Sequence, residues 1–361
     1  MENKEKENEI KPVSYDFHGD TLIQLQDGRI LSYFFQSCDI IKIYDKDTFK
    51  EVLKINLGNI LQNNKDINFF GGSETVGSII QLKNNLILIG YYNYLIEINL
   101  YEKTFESNIV YEGDRSILNI NELSTNKILL ITSNKILVLD KDNNKYIEKE
   151  NHILKNDWKI VPISFIKRHY GDFSQYYSST ILPFERLLLC SFSEEYSYHG
   201  GCGTHPPERI SKSKFIFINL KDFKEIKSTE VFKAKSNSIV CENKIIIQYY
   251  NNVYIYDINT LEEINKKEYK QIHSQLIKYD NNYLISYSKY ENDNNLSILK
   301  IEGNDLIQTC EVKNTFRYKE NIGWNGYPVY DFYNKILFIL NDKRVIMICH
   351  GVIYCLNLNL D

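Results

Sequence analysis

The stretch KIIIQYYNNVYIYDINT, residues 244–260, decides the architecture. Two apolar runs, Ile245–Ile247 and Val253–Tyr256, flank the polar tip Asn251-Asn252, and the second run ends in the turn Asp257-Ile-Asn-Thr260. β-Branched and aromatic residues favour strands. An Asn-rich tip supplies the left-handed conformations that a two-residue hairpin turn demands. The stretch therefore reads as a hairpin of two buried strands followed by a tight polar turn. The same unit recurs as LILIGYYNYLIEINLYEKT at 86–104, as ILLITSNKILVLDKD at 128–142 and as RVIMICHGVIYCLNLN at 344–359. Before these hairpins lies another short strand and turn, such as Leu22–Gln26 before Asp27-Gly28, Ile79–Lys83 before Asn84-Asn85, and Ser238–Cys241 before Glu242-Asn243. After them, Asp45–Phe49, Tyr101–Phe105, Asn219–Phe223 and Asp257–Leu261 lead into a fourth strand.

The repeat is thus a four-stranded antiparallel meander. With the turn between first and second strands as marker, units stand at Asp27, Asn84, Asn126, Phe184, Asn243, Asn282 and Asn341. Their spacing of roughly 40 to 60 residues starts at the length of a propeller blade and leaves room for inserts. Most strands are apolar at nearly every position, as expected when both faces of a sheet are packed; a sandwich strand with one wet face would alternate. A helical reading fails, because no segment sustains i, i+3, i+4 periodicity for ten residues. The fold class is all-β: a single β-propeller of four-stranded antiparallel blades over residues 10–361, after a charged flexible tail at 1–9. Seven blades is the count, with six and eight as alternatives. The last unit stops one strand short, and Glu9–Phe17 is expected to fill the gap and close the ring.

Composition agrees and narrows the partners. Among 361 residues there are 28 Tyr and 18 Phe, with a single alanine, Ala234. Depletion of Ala, Gly, Pro and Arg beside abundant Asn, Ile, Lys and Tyr is the imprint of an AT-rich genome. Lys and Arg total 43 against 47 Asp and Glu, a net charge of -4, and basic residues never cluster beyond pairs such as Lys167-Arg168 and Lys266-Lys267. The electrostatic footprint of a nucleic-acid binder is absent. Met1–Lys11 has no apolar core of a signal peptide. The longest charge-free apolar run, Val345–Leu360, contains His350, Gly351, Asn357 and Asn359 and falls short of the ~20 residues of a membrane span. Seven scattered cysteines without a Cys-x-x-Cys indicate a reducing, cytoplasmic setting.

The four-strand period, with the turns Tyr44-Asp-Lys-Asp-Thr48 and Tyr256-Asp-Ile-Asn-Thr260, resembles the WD40-like β-propeller superfamily in the broad sense, over essentially the whole chain. The departures are in motif. There is no Trp-Asp dipeptide, since Asp157-Trp158 runs the other way, and Gly follows His at His18, His199 and His350 instead of preceding it. The buried Asp-His-Ser/Thr-Trp network of that superfamily therefore maps onto no residue here. Kelch and quinoprotein patterns fit no better, with Gly-Gly only at Gly71-Gly72 and Gly200-Gly201 and tryptophan only at Trp158 and Trp324.

Turns between first and second strands, and between third and fourth, share one edge of each blade and are short. The long segments are Gly58–Gly77, Asn151–Tyr177 and Asn314–Asn334 between units, with Glu195–Lys212 and Ser288–Asn295 between second and third strands. By topology all five fall on the opposite edge, and loops beyond structural need are commonly functional. Two of them gather aromatics with charge: Trp158, Arg168, Tyr170, Tyr176 and Tyr177 in one, Trp324 and Tyr327 in another. These types dominate binding hot spots, and they are the candidate partner-binding residues; the alternative is that they plug the channel or roof the core. His199, Cys202 and His205, with Glu208 nearby, offer soft metal ligands, yet the spacing matches no structural zinc motif and the expectation is a metal-free loop tip. Gly71–Gly77 lacks the Lys-Ser/Thr and helix of a phosphate cradle, and no Gly-x-Ser-x-Gly exists. No cofactor is expected. The sequence reads as a monomeric, non-enzymatic module or scaffold for a protein or peptide partner; the alternative is a propeller hydrolase or lyase acting at the central channel.

Overall fold

A computed structural model describes residues 12–14, 19, 21–33, 39–64, 76–124, 126–154, 173–197, 208–232, 237–269, 275–287, 296–312, 336–349 and 352–358. The chain opens with β1 (Pro12–Ser14). The first sheet is β2 (Thr21–Gln24), β3 (Ile30–Tyr33), β4 (Ile40–Tyr44) and β5 (Glu51–Asn56), followed by α1 (Leu57–Asn64). The second is β6 (Val76–Gln81), β7 (Ile87–Tyr91), β8 (Tyr94–Leu100) and β9 (Phe105–Glu112). The third is β10 (Ile117–Ser124), β11 (Lys127–Thr132), β12 (Lys135–Asp142) and β13 (Lys145–Ile153). The fourth is β14 (Phe173–Leu182), β15 (Arg186–Ser197), β16 (Glu208–Asn219) and β17 (Lys224–Ser228). The fifth is β18 (Asn237–Cys241), β19 (Lys244–Tyr249), β20 (Asn252–Asp257) and β21 (Glu263–Glu268). The sixth is β22 (Gln275–Lys278), β23 (Tyr283–Tyr287), β24 (Leu296–Glu302) and β25 (Asp305–Val312). The seventh takes β26 (Ile336–Ile339), β27 (Arg344–Cys349) and β28 (Val352–Asn357), and β1 completes it beside β28.

This is a seven-bladed β-propeller of four-stranded antiparallel sheets. Every one of the seven turn markers falls between the first and second strands of its sheet. The fourth strand of the last sheet comes from the start of the chain, Pro12 pairing with Tyr354 and Ser14 with Ile353.

The packing explains the unbroken apolar runs. On β11, Ile128 and Leu130 join the core shared with the second sheet, where they meet Leu82, Leu88, Leu95 and Val110. The intervening Leu129 and Ile131 join the core shared with the fourth sheet, against Leu187, Leu189, Ile216 and Ile218. Likewise Leu284 on β23 packs toward the fifth sheet and Ile285 and Tyr287 toward the seventh. Each fully buried Leu or Ile contributes about 1.5–3 kcal/mol. Gly77, at the foot of the Gly-rich stretch 71–77, has a packing role: a Cβ there would lie 1.9 Å from the carbonyl oxygen of Ile117, so only glycine lets β6 and β10 approach this closely. The chain divides into two compact units, one of Met1–Ser32, Ile43–Glu51 and Asn237–Asp361, the other of Tyr33–Lys42 and Val52–Ser236.

Two features differ from the sequence reading. α1 is a helix where none was expected. It is eight residues long, too short for the ten-residue periodicity criterion; the Asn56 side chain accepts from the Asn59 N–H at 2.9 Å as its N-cap, and Leu57, Ile60 and Leu61 bury its inner face. The second difference is that much of Glu195–Lys212, and the end of Asn151–Tyr177, is strand instead of loop. There β14, β15 and β16 continue their ladders outward, so backbone groups that would need water in a loop are paired with each other.

The turn after the third strand is built alike in the first and fifth sheets. Asp45 Oδ1 accepts from the N–H of Thr48 at 2.8 Å and from its hydroxyl at 2.7 Å, and Asp257 Oδ1 accepts from the N–H groups of Asn259 and Thr260, both at 2.8 Å. These bonds, Thr48 and Thr260 first, hold both carboxyls below the usual aspartate range. The following residue turns left-handed: Phe49 has φ 53° and Leu261 φ 61°, and both side chains are buried. A bulky residue in this region costs about 1–2 kcal/mol, and burial offsets it. Leu261→Gly is expected to lower stability by about 2 kcal/mol, because the lost side chain outweighs the relieved strain. Glu185→Gly, at φ 54° on an exposed turn, is expected to raise stability by about 0.5–1 kcal/mol. Denaturant melts of the two variants check this; shifts of the same sign would refute the account.

Candidate partner-binding site

Of the residues singled out by sequence, Trp158, Arg168, Tyr170, Trp324 and Tyr327 lie outside the described residues, as do His199, Cys202 and His205. Tyr176 and Tyr177 are placed: they sit on β14, in register with Phe192 and Ser191 of β15. Among the described residues, no group of three or more His, Cys, Asp and Glu side chains could hold a metal ion, and no helix is long and apolar enough to cross a membrane. Cys190, Cys241, Cys310 and Cys355 are free thiols.

On the short-turn edge, charged groups are spent on neighbouring turns. Arg344 bridges Asp342 at 2.8 Å and Asp47 at 2.9 Å, tying the seventh sheet to the first. Beside them Gln24 Oε1 accepts the Asn341 N–H at 2.6 Å. Glu122 accepts the Lys83 N–H at 3.2 Å, joining the second and third sheets, and Lys278 Nζ donates to the Val240 carbonyl at 3.0 Å, joining the fifth and sixth. Arg344 holds the Asp342 carboxyl below its usual range.

The opposite edge carries aromatic turn tips. The tripeptides Tyr91-Tyr92-Asn93 and Tyr249-Tyr250-Asn251 close the β7–β8 and β19–β20 hairpins, each with its second tyrosine left-handed, at φ 53° for Tyr92 and 52° for Tyr250. Tyr250 is 62% exposed, its ring 4.9 Å from that of Tyr249. The tip is pinned from below. Gln248 Nε2 donates to the Tyr250 carbonyl at 3.1 Å, and the buried Gln248 Oε1 accepts the Leu276 N–H of the next sheet at 2.7 Å. The Asn251 carbonyl accepts from Tyr269 N–H at 2.8 Å, and the Tyr269 hydroxyl donates to Asp305. Burial, and then that bond to Asp305, pushes the Tyr269 phenol well above the usual range, so it stays a donor. In the second sheet Ile117 N–H donates to the Tyr92 carbonyl at 2.6 Å and Gly113 N–H to that of Asn93 at 2.8 Å. Such tips present an aromatic ring on a backbone with little freedom left to lose on binding.

The fourth sheet carries a ledge at its own second-to-third-strand end. β15 and β16 are 12 residues each, where β7 has 5 and β11, β19 and β27 have 6. Their register runs unbroken from Arg186↔Asn219 to Ser197↔Glu208, and β14 follows it to Phe173↔Glu195. Six extra residues carry the strands about 20 Å further. Tyr176 and Tyr177 lie at the base of this ledge.

Neither a family model nor a curated protein matches the sequence. Solved structures do. The WD40 domain of Pan2 from Neurospora crassa matches with a TM-score of 0.57 at 8% identity, over 94% of this chain and 88% of that one. The β-propeller domain of Cps50 (Swd1) from Myceliophteria thermophila gives 0.53 at 9%, over 97% and 99%. A chain of the mitotic checkpoint complex gives 0.53 at 9%, over 99% and 98%. The fold is that of the WD40 β-propellers. At these identities the likeness is one of fold, and the site must be argued from this chain's own residues.

In this propeller the turn-tip tyrosines lie outside the set of site residues that the sequence points to. The signal was the identical Tyr-Tyr-Asn at the same position of two repeats. Gln248 is a testable keystone of the Tyr250 tip. Gln248→Leu leaves the Leu276 N–H without its acceptor inside the core, and stability is expected to fall by about 1–3 kcal/mol, measured by urea unfolding. An unchanged midpoint would show that the bond is not a support.

Proposed function

We propose that the protein is a non-enzymatic interaction module that holds a protein or peptide partner on the edge bearing the second-to-third-strand turns and the links between blades. The observation that carries the reading is the ledge of the fourth sheet. The ladders of this sheet run about twice as far as those of the other sheets compared, beyond what closing a blade requires, and β14 brings Tyr176 and Tyr177 to the base of the extension. In the other compact unit, Tyr250 at its own second-to-third-strand turn is a separate candidate contact: its left-handed backbone carries a cost that, unlike those of Phe49 and Leu261, burial does not offset. One neighbour of matching fold is a chain of the mitotic checkpoint complex, which fits an assembly role. Trp158, Arg168, Tyr170, Trp324 and Tyr327 lie outside the described residues and are kept as candidate contacts on residue type and connection length alone. The protein is read as cytoplasmic and free of a cofactor.

The test is proximity labelling in the native cell, followed by affinity measurement with the partner identified. Trp158→Ala and Trp324→Ala are each expected to cost about 2 kcal/mol or more of binding, with melting temperature unchanged. Lys103→Glu and Lys221→Glu, in exposed turns of the other edge, are expected to leave affinity as it was. Binding that survives both tryptophan changes and fails on the lysine changes would place the interface on the wrong edge.

A further inference from the structure

We propose that two copies of this chain pair through the outer edge of β16, residues Glu208–Lys212, in an antiparallel two-fold arrangement centred on Ile210. β17 covers β16 only from Ile216 to Asn219, and beyond it a single bridge joins Ser213 to Phe232. Among the described residues nothing pairs with the outer edge from Glu208 to Lys212. An uncovered edge of this kind is a template for another strand.

The hydrogen-bond phase along β16 specifies how such a strand would sit. Ser213 both donates to and accepts from Phe232, at 2.9 and 2.8 Å, so its N–H and C=O face outward. Backbone direction alternates along a strand. Ser211 and Arg209 therefore also face outward, while Lys212, Ile210 and Glu208 direct their backbone groups to β15, opposite Ser193, Glu195 and Ser197. An antiparallel copy centred on Ile210 sets Arg209 against Ser211 of the second copy, and Ser211 against its Arg209. Both are hydrogen-bonded pairs, and together they exchange four N–H···O bonds.

The same register sets Glu208 against Lys212 of the second copy, and Lys212 against its Glu208. These are non-hydrogen-bonded pairs, in which side chains on opposing strands come closest, and they carry opposite charges. Within its own sheet neither residue stands directly opposite a charge, since their partners on β15 are Ser197 and Ser193. Isoleucine meets isoleucine on the axis. The five-residue sequence Glu-Arg-Ile-Ser-Lys is thus its own electrostatic complement when read antiparallel, as an isologous interface requires. The pairing stops at Ser213, which Phe232 already engages. This contact goes beyond partner binding and departs from the monomer expected of the sequence.

Sedimentation velocity of the full chain over a wide concentration range tests it, with four variants. The wild type should show a reversible monomer–dimer equilibrium. Ser211→Pro removes one outward N–H at an edge position where proline leaves the sheet intact, and should abolish the dimer with the melting temperature retained. Glu208→Lys and Lys212→Glu each place like charges opposite and should weaken it about tenfold. The double exchange Glu208→Lys with Lys212→Glu should restore it. A wild type monomeric at every concentration overturns the proposal, including the case in which the edge instead takes a strand of another protein. So does a dimer indifferent to Ser211→Pro, or one that the double exchange fails to restore.

Discussion

The rest of the structure depends on one constraint: the sheets are apolar on both faces, so neither face can be left to water. β11 shows it within six residues, sending Ile128 and Leu130 to one core and Leu129 and Ile131 to the other. A sheet of that kind is stable only between two others, and a run of such sheets has to end by meeting a further apolar face or by wrapping back. The seventh sheet meets the first through Ile346, Ile348 and Ile353 against Ile30, Tyr44 and Phe49. It takes its last strand, β1, from the beginning of the chain. Most polar chemistry is then left to the edges of the sheets, and only a few polar groups enter between the faces.

The few polar groups admitted between faces serve alignment. Ser78 Oγ accepts the Ile120 N–H at 3.3 Å and Gln248 the Leu276 N–H, each binding a backbone donor on the next sheet's first strand. Asn119, Asn121 and Ser179 close a small network between β10 and β14, with Ser179 donating to Asn119 at 2.7 Å. Apolar packing is non-directional, so bonds of this sort are what set the register of one sheet on the next. The short-turn edge adds an outer layer of ion pairs around Arg344 and Lys343, each such pair contributing little by itself. That edge is committed to holding the blades together.

Fold class, blade number and the borrowed last strand were readable because they rest on composition and periodicity repeated seven times, which averages out local ambiguity. The turns Asp45–Phe49 and Asp257–Leu261 were readable for the same reason. α1 was not: eight residues with one buried face fall below any period test, and only the Asn56 cap marks it. The ledge reads as loop in sequence because Glu195–Lys212 is polar, whereas strand character there comes from ladder pairing of the backbone, which polar residues make as readily as apolar ones. The direction of Gly77 toward Ile117 is a matter of distance between sheets, which no local sequence signal carries. For the candidate site, the edge followed from connection lengths alone, whereas Tyr250 and Gln248 became visible only when a hydrogen bond linked one sheet to the next. Tyr176 and Tyr177 were identified by type and are now placed by register on β14.

The central claim, that the propeller is held by face packing and completed by a strand from the other end of the chain, is tested most directly by removing that strand. Thermal unfolding of a chain lacking residues 1–17 should show a clearly lower melting temperature than the full chain, since β28 would be left as an open edge and the seventh sheet one strand short. A truncated chain that melts at the same temperature as the full one would contradict the account.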